Sequence, residues 1–163
     1  MLTSLCGYAI NTKASSYHNL AKFDDEMYRL WADTGMPRQF KGEEYFLLCG
    51  DLNLFGQECQ RESFLAAIND VIYKIYVSHH PKTQQECKEY RDQAIDFLLS
   101  EMQAEPEIHN LSENHKIAIW DGKNGEGNVL LEADGWSTVI CITSSSVRYA
   151  QKLSFFDKLF GRR

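Results

Sequence analysis

The sequence predicts an α+β fold: a helix-rich N-terminal two thirds with an antiparallel helix pair, a small antiparallel β-sheet, and a C-terminal amphipathic helix. Three observations carry this expectation. Apolar residues recur at spacings of three and four through much of the stretch from Tyr17 to Met102. Short β-type runs separated by turn residues follow Pro106. A helical stripe then returns near the end of the chain. At 163 residues, 44% of them hydrophobic, the chain fits one globular domain, 1–148, followed by a helical tail, 149–163.

Taken in order, Leu2–Ile10 alternates weakly and reads as a strand. From Tyr17 the stripe Leu20, Phe23, Met27, Leu30 and Trp31 predicts a helix, ended by Gly35 and Pro37. Residues 43–55 predict a shorter helix broken near Gly50. Phe64, Leu65, Ile68, Val71, Ile72, Ile75 and Tyr76 predict a long helix that Pro81 closes. Thr83 and Glu86 form a capping box, in which hydroxyl and carboxylate each satisfy a free amide at a helix start. Behind it Cys87, Tyr90, Ala94, Phe97, Leu98 and Met102 mark the core face of a second long helix, expected to pack antiparallel on the first. Lys116–Trp120, Val129–Ala133 and Trp136–Thr143 read as strands. Asp134-Gly135 between the last two signals a hairpin, since glycine tolerates the positive φ of a type I′ turn. Ser144, Ser145 and Ser146 offer N-caps for a final helix running to Phe160.

Charge narrows the functional classes. The formal net charge is −6, and residues 151–163, with Lys152, Lys158, Arg162 and Arg163 against Asp157, carry +3, leaving −9 on residues 1–150. So acidic a body argues against nucleic acid, whose phosphates are bound through Lys and Arg. It suits a basic protein partner. Five scattered cysteines, Cys6, Cys49, Cys59, Cys87 and Cys141, show no metal-ligand spacing and read as buried thiols of a reducing compartment. No signal-peptide pattern and no run of about 20 apolar residues is found, so the cytoplasm is expected.

No motif calls for a cofactor or a metal. The loop from Gly122 to Gly127 lacks the spacing of a phosphate-binding loop, and Lys123 and Gly125 occupy positions where a calcium loop needs oxygen ligands. Asp24, Asp25 and Glu26 fan around a helix and do not converge on one ion. His79 and His80 are expected at a helix C-terminus, where the exposed carbonyls favour imidazolium. A Cys141/His115 pair is the basis of one alternative, a cysteine-dependent enzyme.

The tail stands out, and is expected either to dock on the sheet or to anchor the chain to a surface. Tyr149, Leu153, Phe155, Phe156, Leu159 and Phe160 share one half of a helix that ends in Arg162 and Arg163. This pattern resembles the short C-terminal membrane-targeting helix of the MinD family of cell-division ATPases. That resemblance implies a membrane-peripheral adaptor making weak surface contact through the tail. Lys152-Leu153-Ser154-Phe155-Phe156 is also similar to peptides that dock on bacterial sliding clamps. The leading expectation is a non-enzymatic binding protein: a small acidic inhibitor or adaptor, similar in size and charge to toxin-immunity proteins, covering a basic surface of a partner such as a toxin. The contact residues it selects are the carboxylates of two helices, Asp24, Asp25, Glu86, Glu89, Asp92 and Asp96.

Overall fold

The computed structural model describes residues 2–27, 42–48, 53–58, 63–122 and 127–144. Over these the chain is mostly β, which overturns the expected helix-rich α+β arrangement. The opening segment makes two short strands, β1 (Ser4–Leu5) and β2 (Tyr8–Ala9), reversed through Cys6 and Gly7, both at positive φ. Next, β3 (Ala21–Lys22) pairs with β4 (Glu43–Leu47), and β5 (Asn53–Leu54) with β6 (Gln57–Glu58). There follow β7 (Phe64–Ile68), β8 (Val71–His79), the helix α1 (Gln84–Met102), β9 (Glu107–Asn110), β10 (Lys116–Asp121), β11 (Gly127–Ala133) and β12 (Thr138–Ser144). Eight strands form one antiparallel sheet in the order β3-β4-β7-β8-β12-β11-β10-β9.

The expected antiparallel helix pair does not form, because its first member is the β7–β8 hairpin. Asn69 and Asp70 hold φ values of 50° and 70°, so the chain reverses between Ile68 and Val71. Both residue types tolerate the left-handed region, and two such residues in succession make a type I′ turn. The flanking runs are rich in β-branched and aromatic side chains, which favour a pleated surface. Phe64, Leu65, Ala66 and Ala67 are all buried, so β7 is covered on both faces and shows no alternation. The helical spacing of the stripe arose from a doubly buried strand, a two-residue turn and a bulge. The bulge lies where the register slips between Ala66 and Ala67, leaving Tyr73 as the extra residue of β8.

Other boundaries change for related reasons. The stripe beginning at Leu20 starts as strand β3. Helical conformation begins at Asp25, where Asp24 Oδ1 accepts the Met27 amide at 2.8 Å, while Leu30 and Trp31 lie outside the described residues. Of 43–55, residues 43–47 are the strand β4 and Gly50 is outside the described residues. The hairpin at Asp134-Gly135 forms, but with a four-residue loop: Ala133 faces Thr138, and Asp134 Oδ1 accepts the amides of Trp136 and Ser137 at 2.7 and 2.6 Å. An aspartate side chain, not a type I′ turn, makes that reversal. The tail 149–163, with Leu153, Phe155, Phe156, Leu159, Phe160, Arg162 and Arg163, lies outside the described residues.

Helix α1 is where expectation and structure agree. Thr83 Oγ1 accepts the Glu86 amide and Glu86 Oε2 accepts the Thr83 amide, both at 3.1 Å, completing the capping box. Its buried stripe is Cys87, Tyr90, Ala94 and Leu98, which packs over β12 and β11. The connection from β8 to the edge strand β9 therefore crosses β12, β11 and β10. Trp120 of β10 fastens its far end by donating Nε1–H to the Ala104 carbonyl at 2.8 Å. On this face of the sheet the main core gathers Leu65, Ile72, Ile75, Val77, Val129, Ile140 and Ile142 beneath α1 and the N-terminal residues Leu2, Leu5 and Ile10. The opposite face carries a smaller aromatic cluster, Phe23, Tyr45, Phe64 and Tyr73.

Candidate functional site

Strand β8 alternates Ile75, Val77 and His79 toward the helix face, so its last residue carries an imidazole to the edge of the core. This corrects the expected placing of His79 and His80 at a helix C-terminus: they end a strand. Pro81 then breaks the strand, Thr83 caps α1, and the first turns of the helix run back past the histidine. The His79 ring stacks on Tyr90 with centroids 4.0 Å apart and planes at 22°. His80 turns outward, and its Nε2 lies 2.9 Å from Ser78 Oγ.

Between the end of β8, the start of α1 and Gln57 lies a cleft of about 370 Å³, lined by His79, His80, Pro81, Lys82, Glu86, Glu89, Tyr90 and Gln93. Spacings of three and four put Glu86, Glu89, Tyr90 and Gln93 on one flank of the helix. Glu86 spends Oε2 on the amides of Lys82 and Thr83, both at 3.1 Å. Glu89 Oε1 accepts from Gln85 Nε2 at 2.8 Å. These are polar walls with carboxylate oxygens at the solvent side and an aromatic–imidazole stack behind them.

His79 is buried opposite Thr138 of β12, and its Nδ1 has no hydrogen-bond partner. Burial, reinforced by neighbouring His80 and opposed by Glu86, holds the imidazole below its ordinary pKa of 6.5. The folded state thus takes up a proton less readily than the unfolded chain. Stability is complete above about pH 6.5 and is lost as pH falls toward the depressed folded value. The expected result is a urea midpoint that drops between about pH 7.5 and about pH 5, by less in His79→Phe, which keeps a ring against Tyr90 without the titrating group. Equal drops in both proteins would refute the assignment.

The six carboxylates selected from the sequence do not share one surface. Glu86 and Glu89 meet at the cleft. Asp92, paired with Arg91 at 3.3 Å, lines a second groove of about 270 Å³ with Ile95, Ile108, Lys116, Ala118 and Leu131, while Asp96 lines neither. Asp24 caps the helical turn at Met27, and Asp24 and Asp25 follow Phe23, whose ring belongs to the cluster on the opposite face of the sheet. Gln57 and Gln93 carried no signal in the sequence, and Tyr90 was expected only as a core residue, because their convergence depends on the strand end at His79.

The Cys141/His115 pair is divided between separate partners. His115 Nε2 lies 2.6 Å from Glu132 Oε1, and Cys141 Sγ lies 3.6 Å from Thr143 Oγ1. Burial pushes the Cys141 thiol up, as it does that of Cys87, opposite to the shift that makes a reactive thiolate. Among the described residues, no group of three or more His, Cys, Asp or Glu is placed to hold a metal ion, and no helix is long and apolar enough to cross a membrane. The chain matches no family model, no curated protein and no solved structure.

Proposed function

We propose that this protein is a non-enzymatic binding protein, a small acidic inhibitor or adaptor of the immunity-protein kind, whose β8–α1 cleft takes a cationic side chain from a basic protein partner. The observation that carries this reading is the meeting of Glu86 and Glu89 beside the Tyr90 ring, with the amides of Gln57 and Gln93 on the cleft wall. A guanidinium fits such a set, because carboxylates accept its planar N–H groups. The acidic net charge supports the same partner chemistry through long-range steering.

The test is a titration with hexa-arginine followed by amide chemical shifts. The peptide is expected to perturb Glu86, Glu89 and Gln93, and to bind at least about tenfold more weakly at about 300 mM salt than at about 50 mM. Glu86→Gln with Glu89→Gln should remove most of the binding while keeping the helix, because glutamine also serves in a capping box. Asp24→Asn with Asp25→Asn should leave it intact. Affinity that ignores salt, or that survives the glutamine pair, would sink the proposal.

A further inference from the structure

We propose that the chain pairs with a second copy of itself through the outer edge of β9, extending the sheet across a two-fold axis. Strand β9 ends the sheet order, so among the described residues its outer row of backbone groups has no strand beside it. All four of its residues are exposed, Ile108 to 60%, and so is Leu111 just beyond it, also to 60%. Natural sheets blunt such an edge by keeping it short, or with charged side chains, lysine above all, proline or a bulge, and of these β9 has its short length and Glu107. Residues 107–110 read Glu-Ile-His-Asn, the nearest proline is Pro106, outside the strand, and the pairing with β10 runs without a register shift.

The register selects the occupant. Ile108 faces Ala118 and lines the groove beside Ile95 of α1, which places it on the helix side; Glu107 and His109 therefore project from the other face. A two-fold axis normal to the sheet keeps each face on its own side, so directly opposed residues must share a face. With the axis at Ile108, Ile108 meets Ile108 of the second copy, and each Glu107 stands opposite a His109. An imidazole N–H can donate to a carboxylate directly across two strands, whereas two carboxylates so placed repel. The same strand therefore presents both halves of a complementary pair, as an isologous contact requires. Moving the axis to His109 would set that histidine against itself and Ile108 against Asn110, losing both matches.

The helices leave room. Because α1 packs over β12 and β11, the two β11 strands of such a dimer lie five strand spacings apart, about 24 Å. That exceeds a helix diameter of about 10 Å. A four-residue strand makes a small contact, so association belongs at high protein concentration.

Sedimentation equilibrium of the full chain should show reversible dimer formation at concentrations approaching about 1 mM. Glu107→Lys alone, which sets lysine against His109, and His109→Glu alone, which sets two carboxylates together, should each weaken it about tenfold. Mixed in equal amounts, the two variants should dimerise again, since the introduced lysine of one chain then faces the introduced glutamate of the other. An ion pair confined to one chain, such as the His109–Glu107 contact at 3.1 Å, gives no such rescue. Ile108→Lys should abolish dimerisation, and far-UV circular dichroism should confirm that each variant is folded. A wild-type chain that stays monomeric overturns the proposal. So do a mixture that fails to recover and a dimer untouched by Ile108→Lys. If Ile108→Lys does not fold, the charge-exchange mixture decides alone.

Discussion

Leu98→Ala is expected to destabilise the protein by about 2–5 kcal/mol, the range for removing a fully buried leucine from a packed core. Leu98 is 0% exposed and is the last of the four buried residues that bind α1 to the sheet. One helical turn further on, Met102 accepts the Leu2 amide on its sulfur at 3.3 Å, so loosening this end also loosens the N-terminal segment. The core that Leu98 joins draws its side chains from strands far apart in sequence, Ile140 and Leu131 among them, which limits how far it can collapse into the vacancy. Urea unfolding measures the loss. A change under 1 kcal/mol would mean that α1 contributes far less to the core than its burial indicates. Leu98→Met, which conserves volume, should cost less than about 1.5 kcal/mol.

Tyr73→Phe is expected to cost about 1–3 kcal/mol by leaving a buried polar group short of a partner. Glu43 is 4% exposed, and its Oε1 accepts hydrogen bonds from Tyr45 Oη at 2.9 Å and from Tyr73 Oη. Tyr73 reaches that carboxylate because the bulge in β8 turns it onto the face of the aromatic cluster. Burial, and then the Glu43 carboxylate, push its phenol well above the ordinary range, so it remains a donor throughout the working pH range. Phenylalanine keeps the ring and deletes one donor, which isolates the hydrogen bond from the packing. Tyr76→Phe, on the same strand and face, is the comparison: its ring stacks on Phe64 at 4.8 Å. Equal stabilities for the two variants would show that the Glu43 contact contributes nothing particular.

The parts of the fold legible in the sequence are those where a local rule meets no competitor. Thr83 and Glu86 cap a helix within three residues of one another, and α1 begins there. Val129–Ala133 alternates buried and half-buried side chains, and β11 forms there. The β7–β8 hairpin was illegible to periodicity because a strand buried on both faces has no period of two. Its signal was chemical: Asn69-Asp70, flanked by β-branched residues.

The candidate site divides along the same line. Glu86 and Glu89 could be chosen from helical spacing and charge, since both belong to one continuous element. Their neighbours could not. His79, Gln57 and Tyr90 meet only because a crossing helix is laid back over the end of β8, and a contact between residues so far apart leaves no local pattern. By itself the sequence determined the net charge, the capped helix and the strands β10, β11 and β12, though not β9, all consequences of interactions within a few residues. Which carboxylates share a cleft, which strand ends the sheet among the described residues and which imidazole loses its water were decided by the tertiary structure alone. Burial is a property of the assembled surface, and it sets both the pKa of His79 and the partners of Glu43.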